Sequence, residues 1–112
     1  MVMKNMTTIY IVTVFTKLSK EKIFYPDLGE KRLCGWYSSA EQAFQALYYN
    51  HRDIYEGKYT YALLEAVHDG MLPVIKQTDR QLFSWNKDEH GYRERREPNW
   101  MANFVNVSGY FE

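Results

Sequence analysis

The sequence predicts an α+β domain in which one amphipathic helix lies on a mainly antiparallel sheet, with element order ββαβββ. Three observations lead there. The segments Ile9–Thr16 and Tyr59–Val67 are dense in β-branched and aromatic residues and apolar at both parities, the pattern of strands covered on both faces. One intervening stretch repeats apolar residues at three- and four-residue steps behind helix-capping chemistry. Gln81–Trp85 and Gly91–Arg95 flank the polar turn Asn86–His90, as the arms of a hairpin do.

Taken in order, Ile9–Thr16 is the first strand, one face of which must meet a helix. Lys17–Glu30 is polar and contains the turn residues Pro26-Asp27-Leu28-Gly29, so it reads as a long hairpin connection. A second strand follows over Lys31–Tyr37. Ser38-Ser39-Ala40-Glu41-Gln42 holds two overlapping capping boxes, Ser38 with Glu41 and Ser39 with Gln42, and so starts a helix. Ala43, Phe44, Leu47, Tyr48, His51, Ile54 and Tyr55 form its apolar stripe, and Gly57 is placed to end it, giving a helix over residues 40–56. Tyr59–Val67 is a central strand, closed by His68-Asp69-Gly70. An exposed connection begins at Met71-Leu72-Pro73, the aromatic hairpin then projects, and Pro98 breaks it. Phe104–Phe111 reads as an extra edge strand or an extended tail.

With 112 residues the chain has room for one domain, residues 1–112. Apolar residues at 46% and charged residues at 25% are ordinary globular usage, which excludes a disordered tail or a membrane protein. Fourteen basic residues balance fourteen acidic ones, so the global positive charge of a dedicated nucleic-acid binder is absent. Cys34 is the sole cysteine, which rules out an intrachain disulfide or a cysteine-rich zinc site and suits a reducing compartment. The apolar run from Ile9 to Phe15 is too short to span a bilayer and lacks a small-residue cleavage site. A cytoplasmic protein is expected.

Tyr10-Ile11-Val12-Thr13-Val14-Phe15-Thr16, Gly35-Trp36-Tyr37-Ser38-Ser39-Ala40-Glu41-Gln42-Ala43, and Asn50–Glu56 followed by Tyr59-Thr60-Tyr61-Ala62-Leu63-Leu64-Glu65 occur in that order. This pattern resembles a group of short uncharacterised proteins of Firmicutes and their phages or mobile elements, which share YIVTVYT, GYYSSxExA and DIYExxYxYAxIE. Gly70-Met71-Leu72-Pro73, Phe83-Ser84-Trp85-Asn86 and Asn103-Phe104 extend the match over most of the chain. The shared motifs are packing motifs and carry no assigned activity. The resemblance implies a small accessory protein.

Few residues point to chemistry. His51, His68 and His90 lie in a helix, at a strand end and in a turn, too scattered for the three or four ligands of a zinc site. The plain reading of His51 is a satisfied histidine at the helix–sheet interface. Cys34 alternates with Arg32 and Trp36 in a strand and reads as a buried, inert thiol. Asp53 and Glu56, one turn apart, form a solvated helix end or, with Tyr59, a hydrogen-bonding surface. No Gly-rich run leads into a helix, so a phosphate loop is not expected. Neither cofactor nor metal is expected, and no catalytic residue is assigned.

The remaining candidate is the aromatic hairpin: Phe83, Trp85, Tyr92, Arg93, Arg95 and Arg96, with Trp100 beyond Pro98. Arginines beside exposed aromatics suit single-stranded nucleic acid and equally suit the anchors of a protein interface. Glu89, Glu94 and Glu97 interrupt the basic run, which favours protein contact over nucleic acid, a solvated hairpin being the plain alternative. The expected function is thus that of a non-catalytic module that inhibits or modulates a host protein by occupying its surface. Small-molecule or nucleotide binding around Tyr48, Tyr59 and Tyr61, and nucleic-acid binding through Arg93, Arg95 and Arg96, are the alternatives. A homodimer is expected too, because one helix covers one sheet face and leaves the other bare.

Overall fold

The apolar residues at both parities of the first strand decide the architecture, because both of its faces must be buried. In the computed structural model, which describes residues 8–20, 26–68 and 79–103, β1 (Thr8–Phe15) is an interior strand, and every residue from Ile11 to Phe15 is buried. It pairs antiparallel with β4 (Lys31–Tyr37) on one side and β5 (Tyr61–His68) on the other. The chain then continues through β6 (Arg80–Asn86) and β7 (Gly91–Arg95), giving a five-stranded sheet in the order β4-β1-β5-β6-β7. The connection Lys17–Glu30 folds as a separate small hairpin of β2 (Ser19–Lys20) and β3 (Pro26–Asp27). Apart from that small hairpin, the order is the expected ββαβββ.

Helix α1 (Ala40–Tyr48) begins where the capping chemistry places it. Ser39 is the N-cap, its Oγ accepting from the Gln42 backbone N–H at 3.2 Å, while the Ser38 hydroxyl donates to Gln42 Oε1 at 2.9 Å. Of the two overlapping boxes, the one at Ser39 sets the start. The helix stops at Tyr48, eight residues short of the expected end at 56. Asn50 takes a left-handed conformation at φ 48°, a common helix stop for asparagine. Its Oδ1 accepts the Tyr55 N–H at 2.9 Å and its Nδ2 donates to Asp53 Oδ1 at 3.2 Å, so side-chain amide and carboxylate replace the helical ladder. Arg52, Asp53 and Glu56 also have positive φ, and a short 3-10 helix, His51–Asp53, fills the turn.

Two cores flank the sheet. The helix side packs Val12, Val14, Ala62, Leu64, Phe83 and Tyr92 against Ala43, Ala46, Leu47, Ile54 and Tyr59. The other side packs Phe15, Leu63 and Leu82 against Leu28 of the small hairpin and Met101 of a C-terminal 3-10 helix, Asn99–Asn103. This corrects the premise of the expected homodimer. Around Phe15, Leu63 and Leu82 the face without a helix is covered within one chain, by short irregular segments that carry no helical or strand periodicity in the sequence. A buried ion pair secures that cover: Arg80, whose side chain is fully buried, meets Glu97 at 2.9 Å and donates to the Met101 carbonyl at 2.6 Å. The hairpin β6–β7 is part of the sheet and does not project, a second correction. The expected connection at Met71-Leu72-Pro73 and the segment Phe104–Phe111 lie outside the described residues.

Candidate functional site

The aromatic hairpin chosen from sequence is mostly interior. Phe83 and Tyr92 are completely buried, so they are corrected from surface anchors to core residues. Phe83 packs against Phe44 and Tyr48 of α1, and the Tyr92 hydroxyl donates to the Tyr59 carbonyl. Trp85 lies half-buried, stacked on Tyr55 at 3.9 Å with ring planes 10° apart. Strand alternation is the reason: Phe83, Trp85 and Tyr92 share the sheet face that the helix and its following loop cover. Arg93 is held by Glu89 at 2.7 Å and by the Tyr48 carbonyl at 3.2 Å. Arg95 lies over the Tyr61 ring at 5.4 Å, Arg96 is exposed, and Trp100 packs on the second core. Arg95 and Arg96 border a cleft of about 370 Å³ that Glu94 and Glu97 also line.

The secondary candidates fasten the loop after α1 to β4. Tyr59, nearly buried, is approached by Arg32 at 5.2 Å and Lys58 at 5.0 Å from its ring centre, and its hydroxyl donates to Glu30 at 3.3 Å. Lys58 bonds Glu30 at 3.0 Å, and this hydrogen bond pulls the carboxyl below its ordinary range and lifts the ammonium. Glu56 pairs with Arg32 at 2.8 Å. Asp53 is spent on the loop, accepting from Asn50 and from the Glu56 N–H. Asp53, Glu56 and Tyr59 come together as a brace.

That brace shapes a surface which the sequence reading passed over. Among the described strands β4 is an edge strand, and among the described residues the exposed large apolar side chains are its Leu33 and Trp36, together with Tyr49 at the end of α1. Trp36 is 64% exposed, unusual for a side chain of such apolar area. A β-bulge explains the pairing: Val12 lies opposite Gly35 and Thr13 opposite Leu33, leaving Cys34 as the extra residue. The bulge puts Leu33 and Trp36, an odd number of residues apart, on one face of the sheet. Gly35 sits there at φ +145°, a conformation that other residues rarely adopt. A glycine inside a strand pattern is the one signal that pointed to this bulge.

On the helix side of β4 a cleft of about 480 Å³ opens between the strand and the 50–56 loop. Arg32, Cys34, Tyr37, His51 and Arg52 line it, with no carboxylate among its lining residues. His51 belongs to the turn, exposed and stacked on Tyr49 with centroids 6.0 Å apart, which corrects the interface histidine expected in a longer helix. Cys34 is half-buried; burial pushes its thiol up, further than nearby Arg32 draws it down. A protonated thiol is a poor nucleophile. Tyr37 is likewise raised, by burial first. The cleft therefore offers cations and aromatic rims, the equipment of a binding surface.

No protein-family model, curated protein or solved structure matches the chain. Among the described residues no helix is long and apolar enough to cross a membrane, and no group of three or more His, Cys, Asp or Glu is placed to hold a metal ion.

Proposed function

We propose that this chain is a non-catalytic protein-binding module, an accessory protein of the phage or mobile-element kind, which acts in the cytoplasm by occupying the surface of a host protein. The observation that carries the reading is the exposed Trp36 beside Leu33 on the β4 edge. Trp and Arg are the side chains that most often dominate protein interfaces, and an edge strand offers unpaired backbone groups to a partner. This moves the contact surface from the β6–β7 hairpin to β4. The cover of Phe15, Leu63 and Leu82 by Leu28 and Met101 within one chain leaves less apolar face for a second copy and favours a monomer that meets a different protein over a homodimer.

Purification of the tagged chain from a bacterial host, with mass spectrometry of what accompanies it, tests the proposal. A partner protein is expected to be retained by Arg95→Ala and Arg96→Ala and lost by Trp36→Ala. A partner indifferent to Trp36→Ala refutes the β4 assignment. Nucleic acid accompanying the chain and lost with Arg95→Ala supports the alternative at the 370 Å³ cleft instead.

A further inference from the structure

The geometry points to the chemistry of that partner: an extended protein segment with alternating apolar and acidic residues, added as a strand to the outer edge of β4. This rests on the protein-binding reading above and deepens it. Among the described strands β4 is hydrogen-bonded on one side only, to β1. Its other side can accept main-chain bonds from an extended segment, the mode by which exposed sheet edges take up peptides. Lys31 at the start of β4 and the bulge at Cys34 are also devices that discourage indiscriminate edge pairing. They leave a short strand that pairs only where side chains add affinity.

The two faces of β4 then prescribe the side chains of the added strand. Leu33 and Trp36 lie opposite Thr13 and Ile11, on the sheet face away from the helix. Side chains of the added strand on that face meet apolar surface. Arg32 and Tyr37 lie opposite Val14 and Tyr10, on the helix side, where the cleft opens. Arg32 is committed to Glu56 at 2.8 Å and to the Ile54 carbonyl at 3.1 Å. Arg52 is exposed on the cleft wall and makes no ion pair among the described residues. It is held beside His51 in a turn braced by Asn50 and Asp53. A carboxylate reaching into the cleft from the added strand would meet Arg52 with charge-assisted hydrogen bonding. One arginine that makes no ion pair among the described residues, beside a histidine, suits one or two carboxylates; a nucleic-acid backbone needs a longer track of cations.

Selection of random short peptides against the full chain, followed by NMR mapping of the selected peptides on the labelled protein, tests this. Enrichment of Asp and Glu alternating with apolar residues, amide shifts at 31–37, and affinity reduced about tenfold by Arg52→Ala, the loss expected for one charge-assisted contact, are the supporting results. Arg52→Lys should recover part of that loss. Neutral or basic selected peptides that still map to 31–37 and depend on Trp36 overturn the acidic chemistry and leave the protein-binding reading standing. Peptides that map elsewhere, or no selection at all, overturn both. Light scattering supplies the remaining control: a concentration-dependent mass above 13.4 kDa that Trp36→Ala abolishes assigns the edge to a second copy and overturns the proposal.

Discussion

Replacing Glu97 by Gln removes one charge from the ion pair that holds the C-terminal cover on the sheet. Arg80 donates from Nε to both carboxylate oxygens, at 3.1 and 3.3 Å, and from Nη2 to Oε1 at 2.9 Å. Its side chain is 0% exposed and that of Glu97 is 14% exposed, so water can repay little of the loss. Breaking a buried pair by removing one partner costs about 3–5 kcal/mol. Arg80 keeps the Met101 carbonyl, which sets the expectation at the lower end, about 3 kcal/mol, out of a total stability of about 5–15 kcal/mol. For a domain near this size that is a fall in Tm of about 12 °C. Urea unfolding followed by circular dichroism measures it, with the midpoint expected to move and the slope to stay. Added salt should change the difference little, because a buried pair is weakly screened. The double variant Arg80→Met/Glu97→Leu is the control and should recover most of the loss. A Glu97→Gln midpoint within about 0.5 kcal/mol of the parent would refute the view that this pair pins the second core.

Three shorter predictions accompany it. A methyl group on Gly91 would collide with the Tyr48 carbonyl, so Gly91→Ala should push the end of α1 off β7 and cost about 1–3 kcal/mol, read by thermal melting. Tyr92 is raised above the ordinary tyrosine value by burial first and by its neighbours Cys34 and Tyr55 next. Its contribution is therefore complete below about pH 10 and is lost as pH climbs through the raised value, at about 1.4 kcal/mol per pH unit. Tyr92→Phe should flatten that alkaline slope while costing about 1–3 kcal/mol at neutral pH, since the Tyr59 carbonyl loses its donor; an unchanged slope in alkaline denaturation counts against it. Finally, Cys34 should label slowly with a thiol reagent at neutral pH and faster as pH rises, because burial lifts its thiol. Rapid neutral labelling would show an accessible thiolate.

The elements were legible where chemistry is local. Ser39 with Gln42 marked the helix start, and the twofold apolar parity of Ile11–Phe15 and Ala62–Leu64 marked strands covered on both sides. The helix end was not legible, because Ile54 and Tyr55 continue the helical spacing although they reach the core from a loop. Asn50 was the available signal, and its weight comes from partners at 53 and 55 that a periodicity count ignores. The cover of the second face was hidden for the same reason: Leu28 sits in the turn sequence Pro26-Asp27-Leu28-Gly29, and Trp100-Met101-Ala102 is too short an apolar run to show a period. The burial of the β6–β7 hairpin was not legible because composition gathers aromatics and arginines there, while alternation turns Phe83 and Tyr92 inward. On β4 the bulge reverses that alternation, and bulges depend on the neighbouring strand's register.

The position of β1 between β4 and β5 has a consequence for how the chain acquires its fold. Its pairing with β4 needs only the first half of the chain, whereas β5, β6 and β7 form a consecutive antiparallel meander of their own, against which α1 also docks. The ladder that joins these halves, eight residue pairs from Thr8 opposite His68 to Phe15 opposite Tyr61, must close across the intervening loop and helix. Such non-local closure incurs its entropic cost before the contacts repay it. During synthesis β1 therefore emerges first yet keeps a bare edge until β5 leaves the ribosome. The seam is expected to zip late, so that Leu64→Ala speeds unfolding far more than it slows refolding. Stopped-flow kinetics in which refolding carries most of the change would place the seam in the folding nucleus instead.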